Sequence, residues 1–268
     1  QGVYQTTNDV KTYLLKLDHE LSSTHRIFGR YNWSRNVGLN GTFTGVGTGV
    51  IDNNGTERDR THTAVVSLNS IFSPTLLNEF RWQYSYEERP RVNNNESNDF
   101  VSKAGPQVQV SGCCFFGGVS FLPVRQYDDR LQFTENLSII RGAHNLKVGF
   151  DYNRSFVDQI FRGNWRGVYI FNNINNFVRA RDKQINPATN QPYTADQYRL
   201  FFGDGAFSAS VNEYASYIQD TYKVSSKVTL NMGLRHEAFL MPQPTRPNPL
   251  LPQSSSIPSD KAMWQPRA

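Results

Sequence analysis

Few residues in this chain are spaced for chemistry. Glu87-Glu88 and Asp128-Asp129 are paired carboxylates that could in principle divide acid and base roles. Neighbours along a strand point to opposite faces, so adjacency in an extended segment makes a poor catalytic pair. The histidines His19, His25, His62, His144 and His236 never fall in a His-x-x-x-His pair, and no Gly-x-Ser-x-Gly elbow occurs. Cys113 and Cys114 are adjacent and lack zinc-site spacing. They are either a vicinal disulfide, as an oxidising compartment allows, or two thiols in a loop. Gly45-Val-Gly47-Thr-Gly49 is not followed by Lys-Ser/Thr, so it reads as a loop rather than a phosphate cradle. Asp52-Asn-Asn-Gly55-Thr-Glu57 lacks the full ligand spacing of a calcium loop. The expectation is a protein with no catalytic residues, no metal site and no cofactor.

The elements that carry these residues are more informative. The chain has 268 residues, of which 38% are hydrophobic, 13% aromatic and 19% charged, and its mean hydropathy is −0.57. The aromatic content argues against disorder. No apolar run approaches the ~20 residues of a spanning helix. A net charge of +5 invites a nucleic-acid reading. Lys and Arg are interleaved with Asp and Glu, with no basic run, so no nucleic-acid partner is expected. The start, Gln1-Gly2-Val3-Tyr4, lacks the basic and apolar regions of a signal peptide. It reads either as a processed end or as a point inside a longer protein.

Period-two alternation recurs in hairpin pairs. Lys11 to Leu21 sets Tyr13, Leu15 and Leu17 against Lys16 and Asp18, and Arg26 to Arg35 returns with Tyr31 and Trp33 against Arg30. Thr61 to Phe72 carries Ala64, Val66 and Leu68. Its return strand sets Phe80, Trp82, Tyr84 and Tyr86 against Glu79, Arg81 and Glu87. Arg130 to Arg154 folds about Arg141-Gly142-Ala143-His144 and sets Val148, Phe150 and Tyr152 against Lys147 and Asp151. Phe207 to Leu240 folds about Ser225-Ser226-Lys227 and sets Leu230, Met232 and Leu234 against Arg235 and Glu237. The phase of Tyr214 to Val224 is ambiguous, which suggests a bulge. Such alternation is the mark of half-buried strands.

The links between hairpins, over 36–59, 92–125 and about 155–205, are long and polar. Tight turns therefore alternate with long loops, as in outer-membrane barrels. The expected fold is an all-β, antiparallel up-and-down transmembrane β-barrel, partial, with about eight to ten strands in four hairpins. A lipid-facing Arg or Lys at the midplane costs about 2–4 kcal/mol. The charged face must then be the lumen, with Lys16, Asp18, Arg30, Glu79, Arg81, Asp151, Arg235 and Glu237 as its residues. A soluble secreted β-sandwich for carbohydrate binding or adhesion would show the same alternation with its faces inverted. In the long connections, Asn164-Trp165-Arg166-Gly167-Val168-Tyr169 and Asp204-Gly205-Ala206-Phe207 are aromatic and polar together. Trp165, Arg166, Tyr169 and Phe207 are the candidate ligand contacts, since loops on a rigid scaffold carry recognition.

Several of these stretches resemble TonB-dependent outer-membrane receptors, most closely the Oar-like branch that bears a carboxypeptidase-regulatory-like domain. Tyr13 to Tyr31 resembles that family's first barrel hairpin, and Ile71-Phe-Ser-Pro-Thr-Leu-Leu-Asn-Glu-Phe-Arg81 its second. Glu135 to Tyr152 resembles the third. Tyr217-Ile-Gln-Asp-Thr-Tyr-Lys-Val with Leu230-Asn-Met-Gly-Leu-Arg-His-Glu237 resembles another, and Trp264-Gln-Pro-Arg-Ala268 the start of a further strand. The resemblance implies a 22-stranded barrel of the bacterial outer membrane. Its lumen would hold an N-terminal plug, and uptake of a substrate would be energised by a TonB complex. Residues 1–268 would supply a partial barrel domain, with no plug domain and no TonB box present. The implied partners are outer-membrane lipid, an unidentified transported substrate, and TonB through an N-terminal part of the parent.

Overall fold

The computed structural model describes residues 4–40, 51–94 and 105–267. The glycine-rich stretch Gly45 to Gly49 lies outside them. Strands β1 (Thr7–Glu20) and β2 (His25–Leu39) form the first hairpin, and β3 (Gly55–Ser73) and β4 (Leu76–Glu88) the second. The next connection holds β5 (Arg91–Asn93), β6 (Gln107–Val110) and β7 (Cys114–Phe116). The third hairpin is β8 (Arg125–Arg141) with β9 (His144–Ile160). After it come β10 (Val168–Phe171), helix α1 (Ile174–Arg181), β11 (Ile185–Asn186), β12 (Gln191–Pro192) and β13 (Gln197–Arg199). The fourth hairpin joins β14 (Ala206–Lys223) to β15 (Thr229–Leu240), and β16 (Asp260–Arg267) follows.

The long strands make one antiparallel meander in the order β1-β2-β3-β4-β8-β9-β14-β15-β16, with β5 added beside the start of β3. It is a partial barrel, open between β1 and β16. The strands of the hairpins run from 12 to 19 residues. They exceed the ~9–11 residues that cross a bilayer. Polar side chains hold the tight turns: the Ser22 hydroxyl accepts from the backbone N–H of Thr24 and His25 at 3.2 and 3.1 Å. Gly142 turns the third hairpin at a φ of +59°, where a side chain would be strained.

Register keeps each face intact across the sheet. One continuous face carries Tyr13, Trp33, His62 and Tyr86 as successive cross-strand neighbours. The same face carries Trp82, Phe133, Tyr152 and Tyr214 as another row. Aromatic rings touch along it: Tyr13–Trp33 at 5.3 Å, Phe133–Tyr152 and Tyr152–Tyr214 at 5.0 Å, and His236–Trp264 at 4.4 Å. Tyr214 lies in phase with this face, and β14 pairs from Asn212 to Lys223 with β15 without a shift. The bulge expected there is absent. Register shifts occur instead at Ile71/Ser73 and Glu237/Phe239.

The apolar face is the exposed one. Tyr13 and Leu17 are 65% and 66% exposed, and Phe80, Phe150, Ile218 and Leu234 are exposed as well. On the opposite face Ser67 and Asn153 are only 1% and 6% exposed. Among the described residues no second sheet covers the apolar side, which argues against the sandwich alternative. The polar side is tightly fitted. The ring of Tyr217 lies over Gly149, its cross-strand partner, and its hydroxyl donates to Asn136 Oδ1 at 2.8 Å. An aromatic thus fills the gap that a strand glycine leaves.

The long connections are not structureless. β10 pairs in parallel with β6, and β7 and β13 complete a small sheet in the order β13-β10-β6-β7. Two loops far apart in sequence therefore form a single layer.

Candidate functional site

The polar face gathers all eight residues singled out for it. Lys16 and Arg30 are direct cross-strand partners. The ion pairs among the eight run along a strand rather than across to its neighbour. Lys16 Nζ meets Asp18 at 2.9 Å, Arg81 meets Glu79 at 3.1 Å, and Arg235 Nε meets Glu237 at 2.6 Å. Residues i and i+2 share a face of a strand, so this spacing pairs charges locally. Asp151 instead accepts from Gln132 Nε2 on the neighbouring strand at 3.1 Å. Such partly exposed pairs contribute about 0–1 kcal/mol each. They make a wall of mixed sign, not a concentrated site of one charge.

Most of the buried apolar side chains among the described residues lie in the loop layer. Val119, Leu122 and Val124 form a buried cluster with Phe121 against it, and Val110, Val168, Ile170 and Phe171 are buried nearby. Buried asparagines tie its backbone down. Asn53 Nδ2 donates to Gly117 O at 3.2 Å, and Asn93 Oδ1 accepts from Val119 N at 2.7 Å. Helix α1 starts on an Asn173 cap whose side chain accepts from Asn176 N at 2.9 Å. Phe177 of that helix stacks on Phe116 at 5.5 Å.

Trp165 and Arg166 face into this layer. Trp165 Nε1 and Arg166 Nε both donate to Leu122 O, at 3.0 and 2.8 Å. The Arg166 guanidinium also lies 4.9 Å from the Trp165 ring centre. Burial lowers the Arg166 pKa to about 10. Tyr169 is more open and meets Tyr198 at 4.7 Å. Phe207 stands apart from these three. It belongs to strand β14, not to a loop, and shares the polar face with Ala209 and Val211.

Phe207 lines a cavity of about 550 Å³ at the long-loop end of the polar face. Val157, Ala209, Val211, Met241 and Ile257 give it apolar walls, and Glu87, Asp128 and Arg130 a charged margin. Of this lining, sequence reasoning singles out Phe207 but not Val157, Met241 or Ile257. Met241 and Ile257 come from a proline- and serine-rich segment with no periodicity to mark it. Beside the cavity, Asp204 accepts from Ala206 N at 3.2 Å and faces Arg246 at 3.3 Å. The Ala206 N–H first, and Arg246 with it, hold the Asp204 carboxyl below the usual range.

The remaining sequence candidates resolve simply. Cys113 and Cys114 form a disulfide in the tip of the β6–β7 hairpin. Glu57 of the calcium-like stretch meets Arg91 at 3.2 Å instead. No group of three or more metal-type ligands occurs among the described residues.

Known structures share this architecture. The outer membrane transporter YddB from Escherichia coli superposes with a TM-score of 0.54 and 10% identity, over 88% of this chain and 28% of its own. The ferripyoverdine receptor of the Pseudomonas aeruginosa outer membrane gives 0.56 and 12%, over 97% and 33%. BauA, the ferric preacinetobactin receptor of Acinetobacter baumannii, gives 0.51 and 13%, over 87% and 34%. The chain thus spans about a third of the length of these proteins, and at such identity the likeness is one of fold. No curated protein matches. Residues 1–250 match the model of the outer membrane beta barrel domain. With its apolar face turned outward to lipid, the chain belongs to that family and is a bacterial outer-membrane protein.

Proposed function

We propose that the chain is part of the barrel wall of a TonB-dependent receptor of the Oar-like branch, which takes up a substrate across the outer membrane. The observation that carries this reading is the inverted sheet: exposed aromatics on one face, and paired charges and fitted amides on the other. A hydrated lumen needs the second face, and lipid needs the first. The superposition on about a third of three outer-membrane receptors and transporters supports the same reading. The eight charged residues of the polar face would line the lumen. The rest of the barrel, a plug and the TonB contact would come from other parts of the parent protein. The barrel conducts or binds and does no covalent chemistry.

The substrate would first meet the loop layer and then the cavity around Phe207. Its apolar walls and charged margin suit a molecule with both kinds of surface. The experiment is uptake by cells that carry the parent protein, with and without an active TonB complex. The parent should fractionate with the outer membrane, and uptake should stop when TonB is removed. Uptake that persisted without TonB would refute energised transport, and a parent soluble without detergent would refute the barrel. Phe207→Ala should weaken substrate binding while leaving membrane assembly unchanged.

A further inference from the structure

The outward face carries one row of charges that lipid contact does not explain. Lys11, Arg35 and Arg60 are direct cross-strand partners on β1, β2 and β3. They share the face of Tyr13, Trp33 and His62, two residues further toward the long loops. Arg58 follows on the same face of β3. Like charges directly opposite each other destabilise a sheet, so three in a row call for an anion. The protein supplies that anion only in part. Lys11 is 3.9 Å from Asp9, and Arg60 is 3.8 Å from Glu88. Arg35 has no ion-pair partner among the described residues. Asp59 is nearby, but it points to the other face and meets Arg89 at 3.3 Å.

Arg35, Arg58 and Arg60 line a recess of about 220 Å³, together with Asp59, Glu88, Pro90 and Val92. Below it lies bare apolar surface: Leu15 and Leu17 are more than half exposed, and Tyr31 is exposed beside them. Lipid-facing cations cost little only near the interface, and aromatic belts mark that level. The guanidinium fork matches phosphate oxygens.

We propose that Lys11, Arg35 and Arg60 bind the phosphate groups of an outer-leaflet lipid headgroup, whose acyl chains lie along Leu15, Leu17 and Tyr31. Charge complementarity and continuity with the lipid-facing surface select this occupant. The site rests on the outer-membrane location and is independent of what is transported.

The test uses the parent protein, extracted from membranes in mild detergent, with native mass spectrometry as the readout. The probes are lipid A, which carries two phosphates, and zwitterionic phosphatidylethanolamine. Each lost cation should weaken lipid A binding roughly fivefold, the equivalent of about 1 kcal/mol. Arg35→Gln/Arg60→Gln should therefore lose on the order of 25-fold, with phosphatidylethanolamine binding unchanged. The charge-matched pair Arg26→Gln/Lys147→Gln, on the opposite face, should lose nothing. If the first pair does not fold, Arg35→Gln alone should show the fivefold loss. Equal loss in both pairs, or none in either, would overturn the proposal. So would displacement of lipid A by an equal concentration of inorganic phosphate, since the site would then take any free phosphate.

Discussion

The barrel wall and the loop layer are built from the same chain on opposite principles. In the wall, apolar side chains face outward and the buried positions include Ser67 and Asn153. In the loop layer, Val110, Leu122, Val124 and Ile170 are buried together, as in a soluble domain. The wall is held by continuous backbone ladders, which lipid enforces because unpaired peptide groups are costly there. The loop layer is held by apolar burial in water, with asparagines satisfying the backbone that its irregular path leaves over. The β-fold of one region depends on its solvent being lipid, and that of the other on its solvent being water.

The contrast can be broken from either side. Leu122 is fully buried, so Leu122→Ala should cost the loop layer about 2–5 kcal/mol. Hydrogen exchange should show protection lost over β6, β7 and β10 and kept in β8 and β9. Loss spread evenly across both regions would show that they fold as one unit. Val148→Arg tests the wall. Its position is 39% exposed, so a water-facing sheet would tolerate the charge. In lipid it should cost up to about 2–4 kcal/mol in urea titrations of vesicle-inserted protein. Thr134→Arg, on the other face and opposite Asp151, should cost far less.

Smaller changes sharpen the comparison. Asn93→Ala leaves the Val119 N–H without its acceptor and should destabilise the loop layer by about 1–3 kcal/mol. Trp165→Phe keeps an aromatic ring but loses the indole N–H bond to Leu122 O, worth about 0.5–1.5 kcal/mol. The smallest effect depends on pH. The Asp204 carboxyl is held below its unfolded value, so its stabilisation is present above that value and lost as pH falls through the folded one. Asp204→Asn should therefore lower stability slightly near neutrality and flatten the acid limb of the stability-versus-pH curve, the two proteins converging at low pH.

These two regions were not equally legible in the sequence. The wall was, because period two persists over a dozen residues and marks both faces of Leu76 to Glu88 and of Thr229 to Leu240. The structure lengthened its strands without moving any residue to the other face. Only β14 misled: Ser216 and Asp220 sit on the apolar side between Tyr214, Ile218 and Tyr222, so polarity blurred a regular register. The loop layer was not legible. Gln107-Val-Gln-Val110 does alternate, but four residues are too few to stand out from polar surroundings. Its partner Val168 to Phe171 lies some sixty residues away and pairs in parallel, which no local pattern records. Trp165 was noticed as an aromatic loop residue, but its bond to Leu122 O depends on that same long-range pairing.

The β6–β10 pairing has a consequence for anything that approaches from outside the cell. Its four residue pairs, Gln107 to Val110 against Val168 to Phe171, are short but fix the two segments edge to edge. An antibody raised against the folded protein would meet one composite epitope there, made from both. A linear peptide copied from either segment would present half of it, without the neighbour that gives it shape.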